Sequence, residues 1–241
     1  MVVMRILVLV VSLLVAVSSA AFADAASEYK AGLAAYAQNN YAEAIAHFSN
    51  AISLKPDAPV YMSRGNAYDD SGESDLAIAD YTAAISASPN YALAYSNRGV
   101  TYYKRKDYDR ALGDLSKAIE LDPRSAFAYV SRGNVYDDKG VADLAFADYS
   151  SAIKADPKFY RAYGERGSAY GRLGKLDDAI ADLSKAVELN PRYAFGYLTR
   201  GRVYERKNDR DNAIADFRRA LAVDPARTAA RQGLQRLGVE P

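Results

Sequence analysis

The sequence predicts an all-α protein built as a stack of helical repeats, and three regularities support that prediction. A glycine and two alanines each recur at a nearly constant interval in six copies. Prolines recur at the same interval, at Pro56, Pro89, Pro123, Pro157, Pro191 and Pro225. A period of roughly 34 residues is typical of a repeat architecture in which each unit is one pair of helices. Such a stack presents an extended binding surface rather than a catalytic pocket.

Residues 1–23 differ in composition from the rest. Arg5 is the only early charge, residues 6–17 are almost wholly apolar, and Ala21-Phe22-Ala23 fits the small-x-small rule for signal peptidase. The sequence therefore predicts a signal peptide over residues 1–23, with cleavage after Ala25 as the near alternative. An uncleaved anchor is disfavoured because a spanning helix needs roughly 20 apolar residues. We expect an exported protein, periplasmic or secreted, with no membrane insertion after signal cleavage.

The composition excludes several classes of function. Lys and Arg number 31 against 30 Asp and Glu, so nothing favours nucleic acid or an anionic membrane as a partner. The absence of cysteine removes disulfides, thiol chemistry and zinc–thiolate sites. With 50% hydrophobic and 25% charged residues, the chain has the balance of a folded domain.

The first helix of each unit, the A helix, is marked by the glycine. The six glycines are Gly32, Gly65, Gly99, Gly133, Gly167 and Gly201. In the last five units a tyrosine stands four residues before the glycine and another three residues after it, at Tyr61 and Tyr68, Tyr95 and Tyr102, Tyr129 and Tyr136, Tyr163 and Tyr170, and Tyr197 and Tyr204. These spacings place both tyrosines on one helical face, and we expect them to pack in the core rather than to stack on a ligand. A glycine inside a helix costs about 1 kcal/mol relative to alanine. Its recurrence predicts that another helix packs closely there.

The second helix, the B helix, follows a turn. Seven residues after the glycine stands Gly or Asn in five of six units, with Lys106 as the exception, and this predicts a left-handed helix stop. Three residues later the last five units carry an acid suited to the first turn of a helix, at Asp75, Asp109, Asp143, Asp177 and Asp211. Recurring alanines, such as Ala77 and Ala84, let two helices approach, and the proline ends the B helix.

This pattern resembles the tetratricopeptide repeat family over about Ala25 to Pro225, except that Arg replaces the usual leucine before the glycine in five units. The resemblance implies a right-handed α-solenoid of antiparallel helix pairs, with a concave groove lined by A helices. We expect a solenoid over residues 24–241, with units at about 25–57, 58–91, 92–125, 126–159, 160–193 and 194–227. An amphipathic capping helix is expected over about 228–238.

A charge pattern accompanies the repeat. The Arg before the glycine is followed sixteen residues later by Asp in units two to six, and the first unit lacks both, with Ala31 and His47 instead. We hypothesise an ion pair between helix A and helix B, or the next helix A. The alternative is two independent solvated charges. The first unit is then either a simple N-terminal cap or a docking end.

No residues favour catalysis, a metal or a cofactor. His47 is the only histidine, and no cysteine is available to complete a nucleophilic site. Asp69-Asp70 and Asp137-Asp138 recur two units apart, which is too far to share an ion, so we expect partner contact or a solvated rim instead. The recurrence reflects a larger repeating block of two units.

We therefore expect a non-catalytic scaffold that binds a protein or peptide in the groove. A regulatory subunit of a cell-wall or secretion enzyme complex is one alternative, and a self-assembling structural protein, hence a homo-oligomer, is another. Some tetratricopeptide domains bind an acidic C-terminus through a carboxylate clamp. At the two positions where such a clamp has basic residues, this chain has Phe127 and Ser131, so capture of an acidic C-terminus is not expected. An acidic middle and a basic C-terminal end predict a partner with a basic and an acidic stretch. The expected groove residues are Met62, Asn66, Asp69, Asp70, Asn97, Val100, Tyr103, Lys104, Phe127, Val130, Asn134, Asp137, Asp138, Arg172, Arg202 and Arg206.

Overall fold

The computed structural model describes residues 24–240, and the signal segment predicted over residues 1–23 lies outside this range. Residues 24–240 form thirteen α-helices and no β-strand, which confirms the all-α helical repeat fold. No helix among them combines the length and apolar character needed to cross a membrane. The chain divides into two compact halves, residues 24–121 and residues 122–240.

The N-terminal half contains three helix pairs, which we call repeats 1 to 3. Each odd-numbered helix is an A helix and each even-numbered helix is its B helix. Helix α3 packs along α4 and α5 along α6, while α2 meets α3, α4 meets α5, and α3 meets α5. The helices are α1 over residues 24–37, α2 Tyr41–Leu54, α3 Ala58–Asp70, α4 Ser74–Ala87, α5 Ala92–Lys104 and α6 Tyr108–Leu121.

The C-terminal half contains repeats 4 to 6 and an end helix. The A–B pairs are α7 with α8, α9 with α10 and α11 with α12, and the A helices also contact one another in succession, ending with α11 against α13. The helices are α7 Ala126–Asp138, α8 Ala142–Ala155, α9 Tyr160–Arg172, α10 Leu176–Leu189, α11 Ala194–Arg206, α12 Arg210–Val223 and α13 Thr228–Arg236.

The turn between A and B helices has the predicted left-handed residue in every repeat. Gly72, Gly140 and Gly174 have φ of +90°, +77° and +78°, and Asn39 and Asn208 have +59° and +61°. Lys106, the sequence exception, adopts the same conformation at +61°. The amide of Asp107 then bonds back to the carbonyl of Tyr102 at 2.9 Å, so the turn geometry is kept without its preferred residue.

The mid-helix glycines allow the close approach that the sequence predicts. A Cβ on Gly65 would lie 2.7 Å from the ring of Tyr81, and one on Gly99 would lie 2.8 Å from Leu115. The large residue of the B helix is fully buried over its glycine in each repeat, at Phe48, Tyr81, Leu115, Tyr149, Leu183 and Phe217. The core of each repeat is therefore a B-helix side chain inserted against a bare stretch of A-helix backbone.

Candidate functional site

An arginine–aspartate pair joins the A and B helices of repeats 2 to 6, which confirms the predicted ion pair. Arg64 donates from Nε and Nη2 to the two carboxylate oxygens of Asp80 at 2.7 and 2.8 Å. The same two-point contact recurs at Arg98–Asp114, Arg132–Asp148, Arg166–Asp182 and Arg200–Asp216. The aspartates are at most 9% exposed. Paired donors of a guanidinium match a carboxylate in both charge and geometry.

The third nitrogen of the same arginine links neighbouring repeats within each half. Arg64 Nη1 donates to Ser49 Oγ on the preceding B helix at 2.9 Å, and Arg98 Nη1 donates to Thr82 Oγ1 at 2.9 Å. In the C-terminal half the acceptors are Ser150 at 3.2 Å and Ser184 at 2.9 Å. We call this row of contacts the arginine ladder. The hydroxyls lie seventeen residues after the glycine, a spacing that sequence inspection missed.

The ten tyrosines that flank the glycines are half-buried rather than fully buried. Their rings lie against the arginine: the guanidinium of Arg64 is 5.9 Å from the ring centre of Tyr61 and 5.8 Å from that of Tyr68. The fully buried aromatic residues are those of the B helices. The prediction that these tyrosines are core residues is thus correct only in part, because a guanidinium occupies the space between the rings.

In repeat 1 the arginine–aspartate pair is replaced by a pair with the acid on the A helix and the basic residue on the B helix. His47 Nδ1 on α2 lies 2.8 Å from Glu28 Oε2 on α1. The hydrogen bond from His47 lowers the pKa of Glu28. Ala31 stands in the place of the arginine, so repeat 1 has no guanidinium directed toward a preceding repeat.

The predicted groove residues all lie on A helices, and we call the surface formed by their half-exposed and exposed members the A face of each half. The prediction that Met62 and Val130 line the groove is wrong, because these residues are only 3% and 5% exposed and belong to the core. The half-exposed members are Asn66, Asp69, Asn97, Val100, Tyr103, Phe127, Asn134 and Asp137. The exposed members are Asp70, Lys104, Asp138, Arg172, Arg202 and Arg206.

The paired aspartates of repeat 2 connect three successive A helices. Asp70 accepts a hydrogen bond from Tyr36 on α1, and Asp69 forms an ion pair of 2.6 Å with Lys104 on α5. Asp69 also accepts from Thr101 at 3.3 Å. These carboxylates therefore hold neighbouring A helices in register, so the predicted acidic patch is already engaged within the protein.

Amide side chains extend this network along the A face of the N-terminal half. Asn66 Oδ1 accepts from the buried Tyr81 hydroxyl at 2.9 Å and from Asn97 Nδ2 at 2.8 Å. In repeat 4 the equivalent Asn134 accepts from Tyr149 at 2.8 Å. The asparagines thus satisfy the polar ends of buried tyrosines, as buried hydroxyls require.

Repeats 4 to 6 continue the register contacts. Asp137 on α7 forms an ion pair with Arg172 on α9, and Arg206 on α11 donates to the backbone carbonyl of Gly171. Glu205 is held by Arg236 of the end helix at 2.7 and 2.9 Å. Asp69, Asp137 and Glu205 stand at equivalent positions two repeats apart, and each forms an ion pair with a base of the next repeat or of the end helix.

Glu165 is a further titratable group on the A face that sequence inspection missed. Burial raises its pKa to about 7, with Asp137 contributing, while the charges of Arg172 and Arg161 act in the opposite direction. Tyr193, at the N-cap of α11, packs over Gly164 of α9, where an added Cβ would lie 2.6 Å from its ring. Burial, together with Glu165, raises the pKa of Tyr193.

Aromatic rings surround this position. Tyr160 meets Tyr193 edge to face at 4.8 Å between ring centres, and Tyr193 lies 5.7 Å from Phe195.

Among residues 24–240, no three His, Asp or Glu side chains are grouped closely enough to hold a metal ion. The A face therefore offers aromatic, amide and charged groups suited to binding another molecule.

Comparison with known proteins agrees with this geometry. Models described as "Tetratricopeptide repeat" match residues 25–58, 92–125, 160–193 and 194–227, and a "TPR repeat" model matches residues 65–106. The TPR repeat-containing thioredoxin TTL4 of Arabidopsis thaliana is 38% identical over 79 residues, which are 32% of this chain but only 12% of that protein.

Solved structures share the fold. One chain of the APC/C hetero-tetramer Cut9-Hcn1 matches with a TM-score of 0.80 and 22% identity over 89% of this chain, which spans 43% of that chain. YrrB, described as a TPR protein with an unusual peptide-binding site, matches with a TM-score of 0.54 and 23% identity, over 78% of this chain and 97% of that chain. Since the matched models together cover more than half of the sequence, the chain belongs to the tetratricopeptide repeat family.

Proposed function

We propose that this protein is a non-catalytic scaffold that holds a protein or peptide segment on its A face, as part of a periplasmic or secreted assembly. The observation that supports this most is that the two helices of each repeat place their side chains differently. The B-helix side fills the core, while the A helices keep a row of half-exposed and exposed side chains such as Val100, Ser168 and Arg202. Export is proposed from the apolar segment over residues 6–17 and the Ala21-Phe22-Ala23 sequence.

The ends of the arginine ladder favour a scaffold over a self-assembling protein. Repeat 1 has Ala31 where a guanidinium would reach back to another repeat. Repeat 6 has Arg218 where repeats 1 to 5 carry a serine or threonine to receive one. Two copies stacked end to end would therefore lack this inter-repeat contact.

The proposal is tested by capture from the native envelope fraction with chemical crosslinking. The bait is residues 24–241, compared with Val100→Trp on α5 and Ser168→Trp on α9, which add bulk to each A face without charge. Ser86→Trp is the control, because Ser86 is exposed on helix α4. We expect a protein that the bait and the control capture and that at least one A-face variant loses.

Equal melting temperatures of the three variants would show that they fold alike. Capture of the same proteins by all baits would contradict the proposal, because the A face would then play no part in binding.

A further inference from the structure

We propose that the A face of the C-terminal half binds an acidic segment of the partner protein, with Arg161, Arg202 and Arg206 holding its carboxylates. This inference rests on the proposed function, since it names the chemistry of the partner for that same face. It replaces the sequence expectation of a partner with both a basic and an acidic stretch.

The three arginines carry positive charge that the protein does not neutralise by direct contact with an acid. Arg202 is exposed on α11 and forms no ion pair among the described residues, while its charge helps to lower the pKa of Glu205, which pairs with Arg236. Arg206 donates to the backbone carbonyl of Gly171 and forms no ion pair with a carboxylate of the described residues. Arg161 is exposed and contacts Tyr160, with its guanidinium 5.9 Å from the ring centre.

Three acids of the same face, Asp137, Glu205 and Glu165, are already paired or partly neutral. Asp137 is paired with Arg172, and Glu205 is paired at two points with Arg236. The pKa of Glu165 is raised to about 7, so near neutral pH only part of this carboxyl opposes the arginines. A basic partner segment would have to displace these pairs, whereas an acidic one meets cations that are free to bind it.

Aromatic rings next to the arginines define the rest of the expected segment. Tyr160 and Phe195 are half-exposed, and both contact the Tyr193 ring. An apolar or aromatic residue between the acids of the partner would lie against these rings, since aromatic and arginine side chains dominate the energetics of protein interfaces. The occupant we infer is thus an acidic segment with interspersed aromatic residues.

The test measures binding of defined synthetic peptides to the protein of residues 24–241 by fluorescence anisotropy. The probe is a fluorescein-labelled peptide of glutamates interrupted by phenylalanine, compared with peptides that carry glutamine or lysine in place of glutamate. The variants are Arg202→Glu, the milder Arg202→Gln, and the control Arg218→Glu. Arg218 is exposed on α12, so the control makes the same change in net charge on a B helix.

We expect the glutamate peptide to bind more tightly than the glutamine peptide by about tenfold or more, with affinity falling as salt is added. Arg202→Glu should weaken binding by at least about tenfold, Arg202→Gln by less, and Arg218→Glu should leave it unchanged.

Equal binding of the glutamate and glutamine peptides would overturn the inference, as would equal weakening by Arg202→Glu and Arg218→Glu. Binding of the lysine peptide alone, sensitive to Ser168→Trp, would overturn the acidic chemistry while the A face remained the binding surface. Binding of none of the peptides would also overturn it, and the capture experiment would then decide the proposed function separately.

Discussion

Arg64 holds Asp80 through two hydrogen bonds of 2.7 and 2.8 Å and, with its remaining nitrogen, reaches Ser49 of the preceding repeat at 2.9 Å. One side chain thereby fixes the A helix to its own B helix and to the neighbouring repeat. Because the unit recurs, the same side chain positions successive A helices and so builds the A face.

Breaking one of these pairs should be costly, and the two members should be strongly coupled. In repeat 3, Arg98→Met or Asp114→Asn alone is expected to lower the free energy of unfolding by about 2–4 kcal/mol, because the remaining partner is left nearly buried. The double variant should lose less than the sum, with a coupling of about 0.5–3 kcal/mol. Urea unfolding of the four proteins measures this cycle, and additive single effects would show that the contact contributes little.

The glycine of the A helix should resist even the smallest side chain. Gly133→Ala places a Cβ 2.7 Å from the ring of the buried Tyr149. Overpacking costs about 1–3 kcal/mol, and the better helix propensity of alanine returns about 1 kcal/mol. We expect a net loss of stability of up to about 2 kcal/mol by urea unfolding.

Gly113→Ala in α6 is the matched control, because nothing lies within 4 Å of its added Cβ. It should stabilise the protein by up to about 1 kcal/mol. Equal effects at the two glycines would contradict the packing role of Gly133.

The left-handed Lys106 offers a stabilising substitution. A side chain in this conformation costs about 1–2 kcal/mol, and glycine avoids that cost at an entropic penalty of about 0.5–1 kcal/mol. Lys106→Gly should therefore raise stability by about 0.5–1 kcal/mol in thermal unfolding. Asn208→Gly, at the same φ of +61° in repeat 6, should gain less because asparagine tolerates this region.

The raised pKa of Glu165 predicts a pH-dependent stability. The folded state favours the protonated carboxyl, so ionisation destabilises the fold as pH rises from the usual value of 4.5 to about 7. Glu165→Gln should therefore melt at a progressively higher temperature than the wild type across this window. Below pH 4.5 the difference should level off.

Glu205→Gln should change stability in the opposite direction. The hydrogen bonds from Arg236 lower the pKa of Glu205, so this carboxylate stabilises the fold above its usual pKa and that stability is lost as pH falls. The Gln variant should thus be less stable than the wild type near neutral pH. Parallel pH profiles for the two Gln variants would contradict these assignments.

The fold was predictable because its main determinants recur at a fixed spacing. The glycines, the arginine–aspartate pairs and the proline ends of the B helices occupy equivalent places in successive repeats, so each prediction was supported by several copies. Lys106 was not predictable, since turn geometry set by the flanking helices overrides the residue's own preference.

The A face was less predictable because its contacts join residues in different repeats. Asp69 and Lys104 are 35 residues apart, as are Asp137 and Arg172, and this common spacing is a signal in the sequence. When each helix is considered alone, its acids look like a binding site for a partner, because the bases that pair with them lie on other helices. Glu165 has no such signal, because burial by neighbouring side chains causes its shifted pKa.

The most direct test of the account is site-specific photo-crosslinking in cells that express the protein. A benzophenone amino acid replaces Val100 or Ser168 on the A faces, and Ser86 or Arg218 on the B helices. We expect a discrete crosslinked product from at least one A-face position and none from the B-helix positions. Products from the B-helix positions alone would contradict the claim that the A face is where this scaffold holds its partner.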